Sequence, residues 1–169
     1  MPLPQVTGFQ YLRYIYIIKK QKIILIGPAY PLRGGIANFN EGLARALQQA
    51  GHDVLIVSFT LQYPSFLFPG TSQEAGSDAP PGGLTIVPMI NSVNPLSWFR
   101  TAAFIRKQST SKVIIRYWLP FMAPALGTIA RLIGKGIRIT ALADNIIPHE
   151  KRFGDRALTR YFVNACDSF

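Results

Sequence analysis

The sequence predicts an α/β domain built on a parallel, doubly wound sheet, and three observations carry that prediction. Short, continuously apolar runs of strand length recur along the chain, as expected of strands covered on both faces. Segments of helical periodicity separate them, and parallel neighbours need such crossover connections. Glycine and Asn-Pro punctuation falls at the junctions, at Gly34-Gly35, Gly51, Asn94-Pro95, Gly134 and Gly136.

The elements follow in order. The run at 23–26, Ile-Ile-Leu-Ile, is the first strand. Ile36, Phe39, Leu43, Leu47 and Ala50 then recur at three- and four-residue spacing. This predicts a helix with that face inward and Glu41, Arg45 and Gln48 outward. Gly51 stands where a left-handed C-cap belongs, and 54–59 reads as the second strand. Residues 84–90 make a third. Asn94 caps a helix with Pro95 at its first position, and Trp98, Ala102 and Ile105 share a face.

Residues 113–118 form a fourth strand. A nearly all-apolar helix over 122–133 follows, and 137–143 makes a fifth strand. Asp155 is expected to cap a last helix lined on one side by Leu158, Phe162 and Ala165. The connection over 63–83 is long and rich in Pro and Gly, and loops of that length are usually functional or mobile. Its part up to Gly70 is apolar enough to be ordered, and the rest reads as flexible. Residues 1–21 read as an extension ahead of the first core strand, with order, disorder and an early start codon all left open.

At 169 residues the chain can bury one substantial core, and 49% hydrophobic content argues against disorder. The stretch nearest to a membrane span, over 9–26, is interrupted by Arg13, Lys19, Lys20 and Lys22 and has no small-residue cleavage site. The expected location is cytoplasmic. The single Cys166 permits no internal disulfide and has no metal-ligand spacing, so no metal is expected.

The net charge of +10 is concentrated after Arg100. It suits a phosphorylated ligand or an anionic membrane surface, or simply a basic solvated face. Nucleic acid is the weakest partner, since no Cys/His finger, RNP-type signature or dense Lys/Arg run is present.

In open α/β sheets ligands bind beyond the carboxyl ends of the strands. The residues expected there are Tyr30, Arg33, Gly34, Gly35 and Asn38 after the first strand, and Gln62 and Tyr63 after the second. Asn91, Ser92 and Asn94 follow the third, Trp118 the fourth, and Asp144, Asn145, His149 and Glu150 the fifth. A strand, a glycine turn and a helix in that order offer backbone N–H groups to an anion. The spacing fits neither the dinucleotide fingerprint nor a Walker A loop, so a plain tight turn remains the competing reading. Arg33 beside the pair favours phosphate, because guanidinium suits anionic oxygens. Asp144 and Glu150 could form an acid/base pair, or Asp144 could cap its loop. His52 reads as a turn residue on the opposite edge, and Cys166 as core.

Together these residues resemble the N-terminal domain of family 4 glycosyltransferases, which have the two-domain GT-B fold. The likeness lies in Arg33-Gly34-Gly35-Ile36 with the helix to Ala50-Gly51-His52-Asp53-Val54, in Gln62-Tyr63-Pro64 through Phe68-Pro69-Gly70, in Asn94-Pro95, and in Asp144-Asn145-Ile146-Ile147-Pro148-His149-Glu150. It covers residues 22–169.

The resemblance implies retaining transfer of a sugar from a nucleotide-sugar to a glycan or lipid-linked acceptor. No cofactor beyond that donor substrate is implied. Gly34 and Gly35, with Arg33, would lie against the donor diphosphate. His149 would act near the donor sugar, as the catalytic residue. Asn38, Tyr63, Trp118, Asp144, Asn145 and Glu150 would face the acceptor.

Family members hold the nucleotide base, the basic pair on the phosphates and an E-x7-E motif in a C-terminal domain. None of these is found in this sequence, and a last N-terminal-domain strand is expected just after Phe169. The expectation is an incomplete domain that needs a C-terminal domain, supplied in the same or a separate chain, and has negligible turnover alone. Charge and the apolar helix over 122–133 also suggest peripheral contact with the inner membrane face. The alternative is a non-catalytic module that binds phosphate or an anionic surface.

Overall fold

A computed structural model describes residues 20–64, 81–145 and 153–169. The predicted extension over 1–19, most of the long connection, and the segment with Pro148, His149 and Glu150 lie outside these residues. The elements are β1 (Lys22–Ile26), α1 (Gly35–Gln49), β2 (Asp53–Leu61), β3 (Thr85–Asn91), α2 (Pro95–Arg106) and β4 (Lys112–Tyr117). A 3-10 turn (Pro120–Met122) then leads into α3 (Ala123–Ile133), followed by β5 (Arg138–Ala143) and α4 (Asp155–Val163).

The five strands form one parallel sheet in the order β3-β2-β1-β4-β5. Strand alternation sends the two halves of β1 to different layers. Ile24 and Ile26 join the large core beneath α2, α3 and α4, which includes Ala102, Ile105, Leu126, Ile129 and Phe162. Ile23 and Leu25 face the other way, with Ala44, Leu43 and Leu47 of α1. Helices on both faces, with the chain reversing direction of travel at β1, make this a Rossmann-like α/β fold.

Three expectations are corrected. Helix α1 is turned by one position, so Ala37, Asn40 and Ala44 are its buried residues, while Phe39 stays 50% exposed and Ala50 is exposed. Asp155 does not cap α4. Gly154 holds the cap position at φ 93, no side chain caps the helix, and Asp155 is its first residue. The apolar helix over 122–133 is not a membrane-facing surface. Ala123, Ala125, Leu126, Gly127, Ile129, Ala130 and Ile133 are all buried in it. No helix among the described residues is long and apolar enough to cross a membrane. At the outer edge of β5, Ser168 makes a parallel bridge with Thr140.

Candidate functional site

The strand order places β1 between β2 and β4, so the crevice beyond their carboxyl ends is the topological switch point of the sheet. The turn from β1 into α1 lies there and is fastened from two sides, by β2 and by α1. Gly27 N–H donates to the Val57 carbonyl at 3.2 Å. The Ser58 hydroxyl accepts from Ala29 N–H at 3.0 Å and donates to the Ala29 carbonyl at 3.2 Å. From α1, Asn40 Nδ2 donates to the Pro28 carbonyl at 2.8 Å, and Glu41 Oε1 accepts from Tyr30 N–H at 2.9 Å. Buried polar groups need such partners, and here they fix the loop to the neighbouring strand β2 and to its own helix.

The turn ends at Gly34, whose φ of 119 and ψ of 169 belong to backbone space that glycine alone occupies readily. The first four N–H groups of any helix lack intrahelical partners. In α1 no side chain caps them and no acidic residue stands in the first turn. A Cβ at Gly34 or Gly35 would meet nothing within 4 Å, so the space before the helix is open. The other long helices begin differently. Asn94 Oδ1 accepts from Leu96 N–H at 3.0 Å in α2, a proline stands in the first turn of α3, and Asp155 opens α4. Helix dipole and bare amides together favour an anion at α1. Arg33 and Asn38 are exposed on either side of the glycine pair.

Beside this turn is a charged pair that the sequence did not suggest. Arg116 of β4 is buried, and its Nε and Nη2 both donate to the carboxylate of Asp144. The guanidinium lies 4.2 Å from the centre of the Phe39 ring. Such a stack is attractive because the ring face carries negative potential. Asp144 is therefore engaged in an ion pair with Arg116. Its expected acid/base partner, Glu150, lies outside the described residues, as does His149. Asn145 follows directly and is half-buried.

The two aromatic candidates are brought together. Trp118 donates its indole N–H to the Tyr63 hydroxyl at 2.5 Å, linking the ends of β4 and β2 across β1. Phe59 meets Trp118 edge-on at 5.9 Å, and Phe121 lies 6.5 Å from Tyr63. Beyond β3, Asn91 and Asn94 are used locally. Asn91 Oδ1 accepts from Val93 N–H, and its carbonyl accepts from Trp98 Nε1 at 2.7 Å. His52 lies at the amino edge, where Nδ1 accepts from Gln21 N–H at 3.4 Å. A cavity of about 660 Å³ lined by Arg131, Lys135, Arg138 and Asp167 is also at that end of the sheet, away from the glycine turn.

The geometry thus defines a Rossmann-like domain with an uncapped glycine turn at its switch point. No known protein family matches the sequence, and no curated protein matches it. Among solved structures, the chain is similar to an alpha-glucosyltransferase in complex with UDP, at 11% identity and a TM-score of 0.48. The match covers 72% of this chain and 28% of that one.

Proposed function

We propose that this domain is the acceptor-side half of a GT-B glycosyltransferase that uses a nucleotide-sugar and retains anomeric configuration. The observation that carries the reading is the start of α1, where paired glycines leave uncapped amides facing open space at the switch point. In sugar transfer the bond from the anomeric carbon to the diphosphate oxygen breaks, the acceptor hydroxyl oxygen bonds to that carbon, and the hydroxyl proton passes to the departing phosphate. Negative charge grows on the departing nucleoside diphosphate. Amides and a helix dipole fixed in advance stabilise that charge without reorganising.

Arg33 adds a cation beside the turn, His149 acts near the donor sugar, and Tyr63 and Trp118 form part of the acceptor wall. Asn38, Asp144 and Asn145 complete the polar rim, and Glu150 is a further acceptor-side candidate. In this reading a second domain holds the base and ribose of the donor.

Titration of the purified chain with UDP- and GDP-sugars, read by amide NMR, tests this. Shifts should centre on Gly34, Gly35 and Ile36, and Gly35→Leu should remove them while the fold stays intact, since the space there is open. Shifts at the amino edge, or affinity indifferent to Gly35→Leu, would sink the proposal. The bare helix start and the +10 charge also favour a non-catalytic anion-binding module. That reading predicts binding of inorganic phosphate equal to that of the nucleotide-sugar, and no transfer when a C-terminal domain is supplied.

A further inference from the structure

We propose that Arg116 is a positioning residue that braces both ends of the glycine turn against the end of β5. The ligand of that turn rests on the sugar-transfer reading, whereas the brace rests on packing alone. Ile115 and Tyr117 point into the large core, so strand alternation turns Ile114 and Arg116 towards the α1 layer. Arg116 is 8% exposed there, at a position where an apolar side chain could also pack. Exchanging a buried ion pair for apolar residues is often neutral or stabilising, so stability alone does not call for a guanidinium here.

Three contacts account for it. A guanidinium has an edge that forks onto a carboxylate and a face that stacks on a ring, and a lysine has neither. The edge of Arg116 is spent on Asp144, just past β5, and its face lies 4.2 Å from the centre of the Phe39 ring. Phe39 follows Gly35 by four residues, so the two share one side of α1 in successive turns. At the other end of the turn, Arg116 Cβ is 3.0 Å from where a Cβ on Gly27 would stand, and Asn40 Nδ2 is 2.5 Å from the same point. Asn40 in turn holds the Pro28 carbonyl. One side chain therefore touches the residue that enters the turn and the helix that leaves it, while β5 fixes its charged edge. Sliding α1 past β5 would break either the stack or the fork. Amides that stabilise a departing diphosphate must be fixed in advance, and this brace fixes them.

Amide NMR of the full chain without ligand tests the brace first. Asp144→Asn, made on the β5 side, should move the Gly34, Gly35 and Ile36 signals. Phe39→Leu should move those of Asp144 and Asn145. Once Phe39→Leu or Arg116→Leu has cut the path, Asp144→Asn should leave the glycine signals where they are. Phe39 is half-exposed, so its variant keeps the fold even where Arg116→Leu does not.

UDP supplies the second readout. Arg116→Lys and Phe39→Leu should each weaken UDP binding at the glycine turn about fivefold, with unfolding still cooperative. Together they should weaken it by no more than about tenfold, because both break one link. A purely structural role would lower the melting temperature and leave the affinity of the folded chain unchanged. That result, signal changes confined to each variant's own neighbours, or losses that multiply would overturn the proposal. If UDP moves no glycine signal in the wild type, the sugar-transfer reading falls, and the ligand-free coupling still decides whether Arg116 braces the turn.

Discussion

Arg116 and Asp144 join two neighbouring strands at the carboxyl edge, with the guanidinium gripping the carboxylate through two of its nitrogens. The parallel register explains the meeting. Arg116 is paired with Leu142, and Asp144 stands two residues further along, just past the end of β5. Removing one partner of a buried pair leaves the other charge uncompensated, at a cost of about 3–5 kcal/mol when both are fully buried. Asp144 is 34% exposed, so water screens the loss. Asp144→Ala should destabilise the fold by about 1–3 kcal/mol after that discount. Urea denaturation of Asp144→Ala, Arg116→Leu and the double variant checks this. The double variant should be less damaged than the sum of the singles, and strict additivity would show that the pair contributes nothing.

At Gly27, α1 comes close against the end of β1. A Cβ there would lie 2.5 Å from Asn40 Nδ2 and 3.0 Å from Arg116 Cβ. Both neighbours are held, Asn40 by the Pro28 carbonyl and Arg116 by Asp144. Gly27→Ala should therefore cost about 1–3 kcal/mol through overpacking, despite alanine's normal preference over glycine. Thermal unfolding reads it, and a neutral or stabilising result would mean that the glycine loop moves freely.

That same close approach separates what the sequence disclosed from what it hid. The strands were legible because runs such as Ile23 to Ile26 have no polar face to misplace. The caps at Asn94 and Gly51 were legible because their chemistry is local. The turn of α1 was not. Periodicity favoured Phe39 as core and passed over Asn40, since it weighs polarity and not hydrogen bonding. The structure buries Asn40 to hold Pro28, uses Ala37 and Ala44 to bring the helix near, and leaves Phe39 as a shelf for Arg116. The Arg116–Asp144 pair was hidden for a similar reason. It depends on strand register between residues 28 apart, which no local pattern encodes. The glycine turn and the Tyr63 and Trp118 positions were legible as carboxyl-edge residues, but their direct contact was not.

The Trp118–Tyr63 bond supports the aromatic wall of the site. Trp118 is only 9% exposed, so its indole N–H has little water to turn to if the hydroxyl is removed. Tyr63→Phe keeps the ring beside Phe121 and removes the hydroxyl that accepts from the indole. The expected loss is about 1–2 kcal/mol, the cost of a buried donor left unpaired. In a domain of this size that lowers the melting temperature by roughly 3–8 °C. Near-ultraviolet circular dichroism should change at the tryptophan bands. An unaltered melting temperature would mean that the indole finds another acceptor.

Alkaline pH should weaken the fold through two groups on the α4 side. Burial first, and then the Asp167 carboxylate, push the Cys166 thiol up to about 11 from an ordinary 9.0, with Arg131 opposing. Burial likewise raises the Tyr117 phenol above 10.0, opposed by its side-chain hydrogen bond with Thr159 and aided by the Asp155 carboxylate. Both are acids whose neutral form the folded state prefers. As pH rises through about 9 the unfolded chain gives up these protons first, so it binds fewer protons than the native state and stability falls until the folded groups ionise too. Below that range neither group contributes a slope. The urea midpoint should therefore decline between about pH 8.5 and 10.5, and less steeply in Cys166→Ser. Iodoacetamide should modify Cys166 slowly in the native chain at the lower pH and faster once urea unfolds it, because the thiolate is the reactive form. Identical slopes for wild type and Cys166→Ser would show that the thiol titrates alike in both states.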